Sequence, residues 1–434
     1  MNLPAHIRDR VFLPLVASVA VGTIALAGCA SPIAGNQTGG TLTIAAFNPF
    51  TGPDAAFGPE MMAGCEAAVT AINAAGGVQG NKLNCASTDT RGDPADAVTG
   101  ATRMIAATSG LFGVLGPSSD EADATAPLIN AAKVPMFADT GEASFDHTKL
   151  PFFWRLTPAD DVKGYAMALY ALRKGYTRGA VVFGNDISSQ SNLPTLLSAY
   201  SQLGGNMVIT QKIALGQSSY RTEVEQLIAA HPQVIFTEAS PQANATYLSE
   251  LKQLGTLIPV IGTDATIQSD WLSAVSGAIG KDSLSKIFVA AQPYAPTAGP
   301  SWETFNKNLL ASAKVPKPDQ WSSDSYTMSN YDAVTIMALA ATAAKTVDPS
   351  VFNASIPAVT TQSTPGVKIV HSFAEGVAAL KAGEKIAYLG AAGVIDFNNW
   401  HNSSGGFEIA AYQVDGSLKL VDSVSAAQIA AVIK

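Results

Sequence analysis

Charge is scarce in this chain: 14% of its 434 residues are Asp, Glu, Lys or Arg, against 47% hydrophobic. No long run of Lys or Arg occurs, and the formal net charge is −8, which speaks against nucleic acid as a partner. The large apolar share speaks against disorder. Histidine is also sparse, and beyond the first residues it stands only at 147, 231, 371 and 401, with no pair spaced like a metal site. The nucleophile-elbow pattern Gly-x-Ser-x-Gly, the metalloprotease pattern His-Glu-x-x-His and the redox pair Cys-x-x-Cys are all missing. Gly277–Asp282 lacks the glycine spacing and the terminal Ser/Thr of a phosphate loop. Ser283-Leu284-Ser285-Lys286 has none of the companion motifs that would make it a β-lactamase-type site. Binding without chemistry is therefore the simpler reading, with no cofactor and no metal.

What is present begins with an address. Arg8 and Arg10 precede an uncharged apolar stretch, Val11–Leu26, broken by Pro14 and Gly22. It is shorter than the ~20 residues of a membrane-spanning helix and ends in small residues, as a secretory leader does. Leu26-Ala27-Gly28-Cys29 resembles the lipobox of bacterial lipoproteins, which implies cleavage after residue 28 and acylation of Cys29. A plain secretory leader ending beside a cysteine is the alternative. Residues 29–40, rich in Gly, Ser, Asn and Thr, read as a flexible tether. Losing Arg8, Arg10 and Asp9 with the leader leaves the remainder one unit more acidic. Cys65 and Cys85 then remain, and an even pair in an exported protein reads as a disulfide, with two buried thiols as the alternative.

About 390 residues follow Gly40, enough for two domains. From Thr41 onward short β-rich runs alternate with Ala-rich helical stretches. Expected strands are 41–46, 82–87, 111–115 and 134–138, then 180–183, 207–213, 234–237, 259–262 and 287–291. Expected helices are 58–73, 99–108 and 120–132, then 192–203, 220–230 and 242–254, with two longer ones near 301–313 and 326–346. Asp415-Gly416 sits between two β-runs, 406–414 and 417–421, as a hairpin turn would. Repeated βαβ order requires parallel sheets with helices on both faces, and a Pro-rich connection at 292–296 separates two such units.

Phe50-Thr51-Gly52-Pro53 with Gly58, followed by Ala71-Ile72-Asn73-Ala74-Ala75-Gly76-Gly77-Val78-Gln79-Gly80, resembles the leucine/isoleucine/valine-binding protein family. Weaker matches at 89–94, 116–119, 134–136, 153–161, 259–264 and 331–334 carry the resemblance through most of the chain. It implies an α/β fold of two doubly wound parallel-sheet lobes joined by a three-crossover hinge. Lobe 1 would comprise 41–157 and 294–387, and lobe 2 would comprise 158–293 and 388–434. The implied activity is capture of an amino-acid-like solute for the permease subunits of an ABC importer, by a monomer attached to the membrane only through its lipid. A ligand-sensing receptor, or a carrier of an amide, urea-like compound or aromatic acid, would share the fold.

The resemblance also assigns residues. The ligand carboxylate would meet Ser119 and backbone N–H groups around Ser118, where a strand runs into a helix start that favours an anion. Ser118 with Glu121 equally makes a capping box. Thr140 and Gly141 would add contacts, and Glu142, standing where the family has a threonine, would either point to solvent or select a ligand with an extra donor or cationic group. Asp264, at a strand's carboxyl end, would hold the ammonium, though alone it could be a surface-turn aspartate. Phe57 and Tyr326 would wall the pocket or simply belong to the core. The family's second-lobe tyrosines fall at Ser188 and Ala239.

Overall fold

The structure is a computed structural model that describes residues 39–403 and 405–433. The leader, Cys29 and the tether up to residue 38 lie outside the described residues.

Five strands build the first sheet: β1 Thr41–Asn48, β2 Lys82–Asp89, β3 Leu111–Ser118, β4 Met136–Asp139 and β5 Phe153–Trp154. Their order is β2-β1-β3-β4-β5 and every pairing is parallel. A strand buried on both faces needs a continuous apolar run rather than alternation, and β1 and β3 are buried along all but one residue. The chain then enters a second sheet through β6 Arg178–Gly184, β7 Asn206–Ile213, β8 Val234–Glu238, β9 Val260–Gly262 and β10 Phe288–Pro293. It returns to the first unit for the helix Ser325–Ala344 and a two-stranded parallel pair, β11 Lys368–Val370 and β12 Ile386–Tyr388. A third passage delivers β13 Phe407–Tyr412 and β14 Leu418–Val424, which add antiparallel to β10. The second sheet thus runs β14-β13-β10-β9-β8-β6-β7. Two doubly wound sheets joined by three passages of chain are what the resemblance implied. Among the described residues, no helix is long and apolar enough to cross a membrane.

The helix Phe57–Ala74 lies against Ser325–Ala344 at very short range. A Cβ on Gly64 would sit 2.3 Å from the Thr327 carbonyl oxygen, so glycine is needed there for the approach. Cys65 on that helix is bonded to Cys85 on β2 across a separation of 20 residues. Closing a loop of that size stabilises the fold by about 3 kcal/mol in the chain-entropy account. Burial supplies the rest: Trp154, Trp271, Tyr331 and Phe112 are each almost fully enclosed.

Several elements depart from expectation. The helix expected from residue 99 begins at Pro94, because Asp93 accepts from the N–H groups of Ala95 and Asp96 and proline suits the first turn. Asp160–Arg173, Ser269–Ile279 and Lys281–Ile287 are helices that the periodicity did not single out. The first of these buries residues almost all round, so it shows little amphipathic pattern.

Candidate functional site: a cavity between facing strand ends

In open parallel sheets the carboxyl ends of the strands are where loops present ligand-binding groups, and here the strand ends of both sheets meet. From the first sheet, the loop after β1 brings Asp54 and Phe57, β3 ends at Ser118 with Ser119 and Asp120 following, and β4 ends at Asp139 just before Gly141. From the second, β6 leads to Ser188 and Asn192, β8 ends at Glu238, and β9 leads to Asp264. Asp160 and Lys163 from one helix and Tyr326 from another complete the lining of a cavity of about 40 Å³. It adjoins a second cavity of about 90 Å³, where Asp186, Leu215 and Trp271 join Asp54, Phe57, Asp120 and Glu238.

Three hydrogen bonds tie the two sides together. The Tyr326 hydroxyl donates to Asp264 Oδ2 at 2.5 Å, the Ser188 N–H donates to Asp120 Oδ1 at 3.0 Å, and the Asp160 N–H donates to the Gly141 carbonyl at 2.6 Å. Gly141 has no side chain for a reason: a Cβ there would lie 2.0 Å from Asp160 Oδ1.

On the second-sheet side a cation sits among the carboxyl groups. Lys163 Nζ lies 2.7 Å from Asp264 Oδ1 and 3.2 Å from Asp160 Oδ1, with all three side chains almost wholly buried. Burial alone would push a lysine down, but Asp264, Asp160 and Glu238 around it hold Lys163 well above its ordinary range. Glu238 is driven well up by burial, opposed by the Lys163 charge, and accepts from Asn192 Nδ2 at 2.8 Å.

On the first-sheet side no cation among the described residues answers the carboxyl groups that line the cavity. Burial, then the charges of Asp120 and Asp186, push Asp54 up to about 8. Burial pushes Asp139 up to about 8 as well; its Oδ1 accepts from Asn330 Nδ2 at 3.1 Å, while its Oδ2 has no partner among the described residues. Asp120 is raised by burial, partly offset by the Ser188 N–H. Behind the wall Glu121 rises to about 7, again through burial, against the donors Ser118 Oγ at 2.8 Å and Ser118 N–H at 3.3 Å. Ser118 and Glu121 do form the capping box.

Of the residues picked from sequence, Phe57, Ser118, Ser119, Gly141, Ser188, Asp264 and Tyr326 all line the cavity. Thr140 stands one layer back, its hydroxyl 3.1 Å from Ser119 Oγ and accepting from the Glu142 N–H at 3.2 Å. Glu142 neither faces solvent nor lines the cavity: it is buried, its backbone carbonyl takes a 3.0 Å bond from Arg155 Nη1, and burial with Asp123 nearby pushes its carboxyl up to about 8. Phe57 meets Tyr326 edge to face with centroids 5.6 Å apart. Ala239 lines the adjoining cavity. Sequence reasoning missed Asp54, Asp120, Asp139, Asp160, Lys163, Asn192 and Glu238.

Two parallel-sheet lobes meeting strand end to strand end over a polar cavity make this a type I periplasmic binding protein fold. The chain belongs to the periplasmic binding protein family, whose profile matches residues 41–382. The Leu/Ile/Val-binding protein BraC3 of Rhizobium johnstonii is 24% identical over 243 residues, 55% of this chain and 65% of that protein, just under two thirds of its length. Leu/Ile/Val-binding protein homolog 1 of Brucella abortus is 21% identical over 304 residues, 69% of this chain and 78% of that protein. Among solved structures, the leucine-binding protein LivK of Thermotoga maritima superposes with a TM-score of 0.68 at 19% identity, covering 88% of this chain and 99% of the other. A solute-binding protein of R. palustris in complex with benzoate does so with a TM-score of 0.69 at 15% identity, covering 89% and 96%. The resemblance read from the opening motif is borne out.

Proposed function

We propose that this chain is the extracytoplasmic solute-binding component of an ABC importer, a monomer held at the membrane through a lipid on Cys29. It would capture an amino-acid-like or related small polar solute by closing its lobes, without turning it over. The observation that carries this reading is the polar cavity lined from both sheets and bridged by Tyr326–Asp264 and Ser188–Asp120. A solute seated there would touch both lobes at once, which is what makes closure depend on loading. The relatives named for leucine, isoleucine and valine and the neighbour holding benzoate support a small-solute role. Residues 41–157 with 294–387 would move against 158–293 with 388–434.

The test is a solute panel read by thermal shift and small-angle scattering. A true ligand at 100 times its dissociation constant should stabilise the chain by about 2.7 kcal/mol and reduce its radius of gyration. A panel member that stabilises the protein with no compaction would contradict capture by closure.

A further inference from the structure

The cavity is not neutral ground. Asp264, the position that by resemblance would hold a ligand ammonium, already has one: Lys163 Nζ lies 2.7 Å away. An incoming ammonium at Asp264 would either meet the like charge of Lys163 at close range or displace that buried lysine from its two carboxylates, and both are costly. The ligand's positive group must therefore look elsewhere, and the first-sheet side offers a place.

Asp54, Asp120 and Asp139 line that side with no lysine, arginine or histidine among the cavity's residues except Lys163, which faces Asp264 and Asp160. Three buried acceptors in the same lining have no hydrogen-bond donor among the described residues: Asp264 Oδ1, which has the Lys163 ammonium as its ion-pair partner, and two with no counter-ion either, Asp139 Oδ2 and, from the opposite lobe, Asn192 Oδ1. Asn192 is only 1% exposed and carries no charge, so its orphaned oxygen is a signal independent of the acidic residues. Buried acceptors are normally satisfied, and acceptors on two facing walls call for a donor-rich group between them. Among the described residues no three His, Cys, Asp or Glu side chains converge as a metal ion would require, so the donor is organic. Phe57 and Tyr326 present aromatic surface beside the acids, which favours a cation further. The outer cavity continues with Leu215 and Trp271, apolar walls for a stem, and with Asp186 and Asp270 also in its lining.

Resting on the solute-capture reading above, we infer that the cargo is a small organic cation of net positive charge, with an ammonium or guanidinium head set between Asp139, Asp54 and Asn192 and a short apolar stem running past Phe57 and Trp271. Burial that now keeps Asp54 and Asp139 protonated toward pH 8 agrees with a missing positive neighbour. An anion such as benzoate would meet these carboxyls without a free cation to balance it, and a neutral zwitterion would bring its carboxylate among them.

Calorimetry on the full-length chain decides this with four probes: agmatine, putrescine, leucine and benzoate. Saturable binding of agmatine or putrescine is expected, with Asp139→Asn and Asp54→Asn each weakening it by about tenfold or more. Asn nearly preserves the shape of Asp, and a cooperative melt no lower than the parent's for either variant keeps the comparison interpretable. Saturation by leucine or benzoate while both cations stay silent overturns the cationic cargo but leaves solute capture standing. Cation binding that both variants leave intact overturns the seat assigned here. Silence of all four probes, with no compaction in scattering, sinks this inference together with the capture reading.

Discussion

The two halves of the cleft are built alike and charged differently. Each places side chains at the carboxyl ends of parallel strands, and each contributes several carboxyl groups to one cavity. The second-sheet half carries its own counter-ion, Lys163, locked between Asp160 and Asp264. The first-sheet half carries none among the described residues, and Asp54 and Asp139 keep their protons instead, raised to about 8. The same burial thus has two outcomes: an internal ion pair where a cation is within reach, neutralised acids where it is not. The second-sheet half is rigid framework, and the first-sheet half is the one that a ligand's charge can change.

The largest effect should come from breaking the matched half. Lys163→Met leaves Asp160, Asp264 and Glu238 buried without their cation, and removing one partner of such a pair costs about 3–5 kcal/mol. Urea unfolding at neutral pH measures it. A loss under 1 kcal/mol would mean that water reaches the pair and that the contrast between the halves is false. For scale, the exposed pair Lys368–Glu384, 2.7 Å apart, should contribute no more than about 1 kcal/mol.

The unmatched half should show itself through pH. A carboxyl whose folded value is raised, as at Asp139 from 3.8 to about 8, keeps in the native state a proton that the unfolded chain has released. Between about pH 4 and 8 the native state then binds more protons, so stability is greatest at the acid end and falls as pH rises. Each such group contributes at most about 1.4 kcal/mol per pH unit. Asp139→Asn should flatten the pH dependence by up to that slope and make the variant more stable than the parent at pH 8. Urea midpoints at pH 5 and pH 8 test this, and an unchanged slope would show that Asp139 is ionised at neutral pH.

How much of this was legible beforehand divides along the same line. The parallel-sheet lobes, the Cys65–Cys85 bond and the stations of Ser119, Asp264 and Tyr326 followed from alternation, cysteine pairing and the opening motif. Lys163 did not, because Asp160-Asp161-Val162-Lys163 reads like any solvated helix start. Only the fold turns its outward face toward the other lobe. Asp139 and Glu238 each looked like a polar residue ending an apolar run. A joint signal did exist: Val134–Ala138 and Val234–Thr237 are each followed at once by an acid, and the loop after β1 supplies a third at Asp54. That pattern has meaning only once the strands are known to be parallel and their ends to converge. Glu142 shows the converse, since its departure from the family pattern pointed either to solvent or to a ligand contact, and it is instead buried off the cavity, with Arg155 fixing the loop from behind.

The smallest effect belongs to the uncharged layer behind the first half. Thr140 is fully buried, with its hydroxyl linked to Ser119 and to the Glu142 N–H. Thr140→Val keeps the branched shape but removes both bonds and leaves a buried N–H unpaired, a cost of about 1–2 kcal/mol. No charge is involved, so the loss should be the same at pH 5 and pH 8, unlike the change produced by Asp139→Asn. Should the Thr140→Val cost grow with pH, the hydroxyl layer would be supporting the protonated acids rather than merely shaping the loop, and the first half of the cleft would have to be treated as one coupled network.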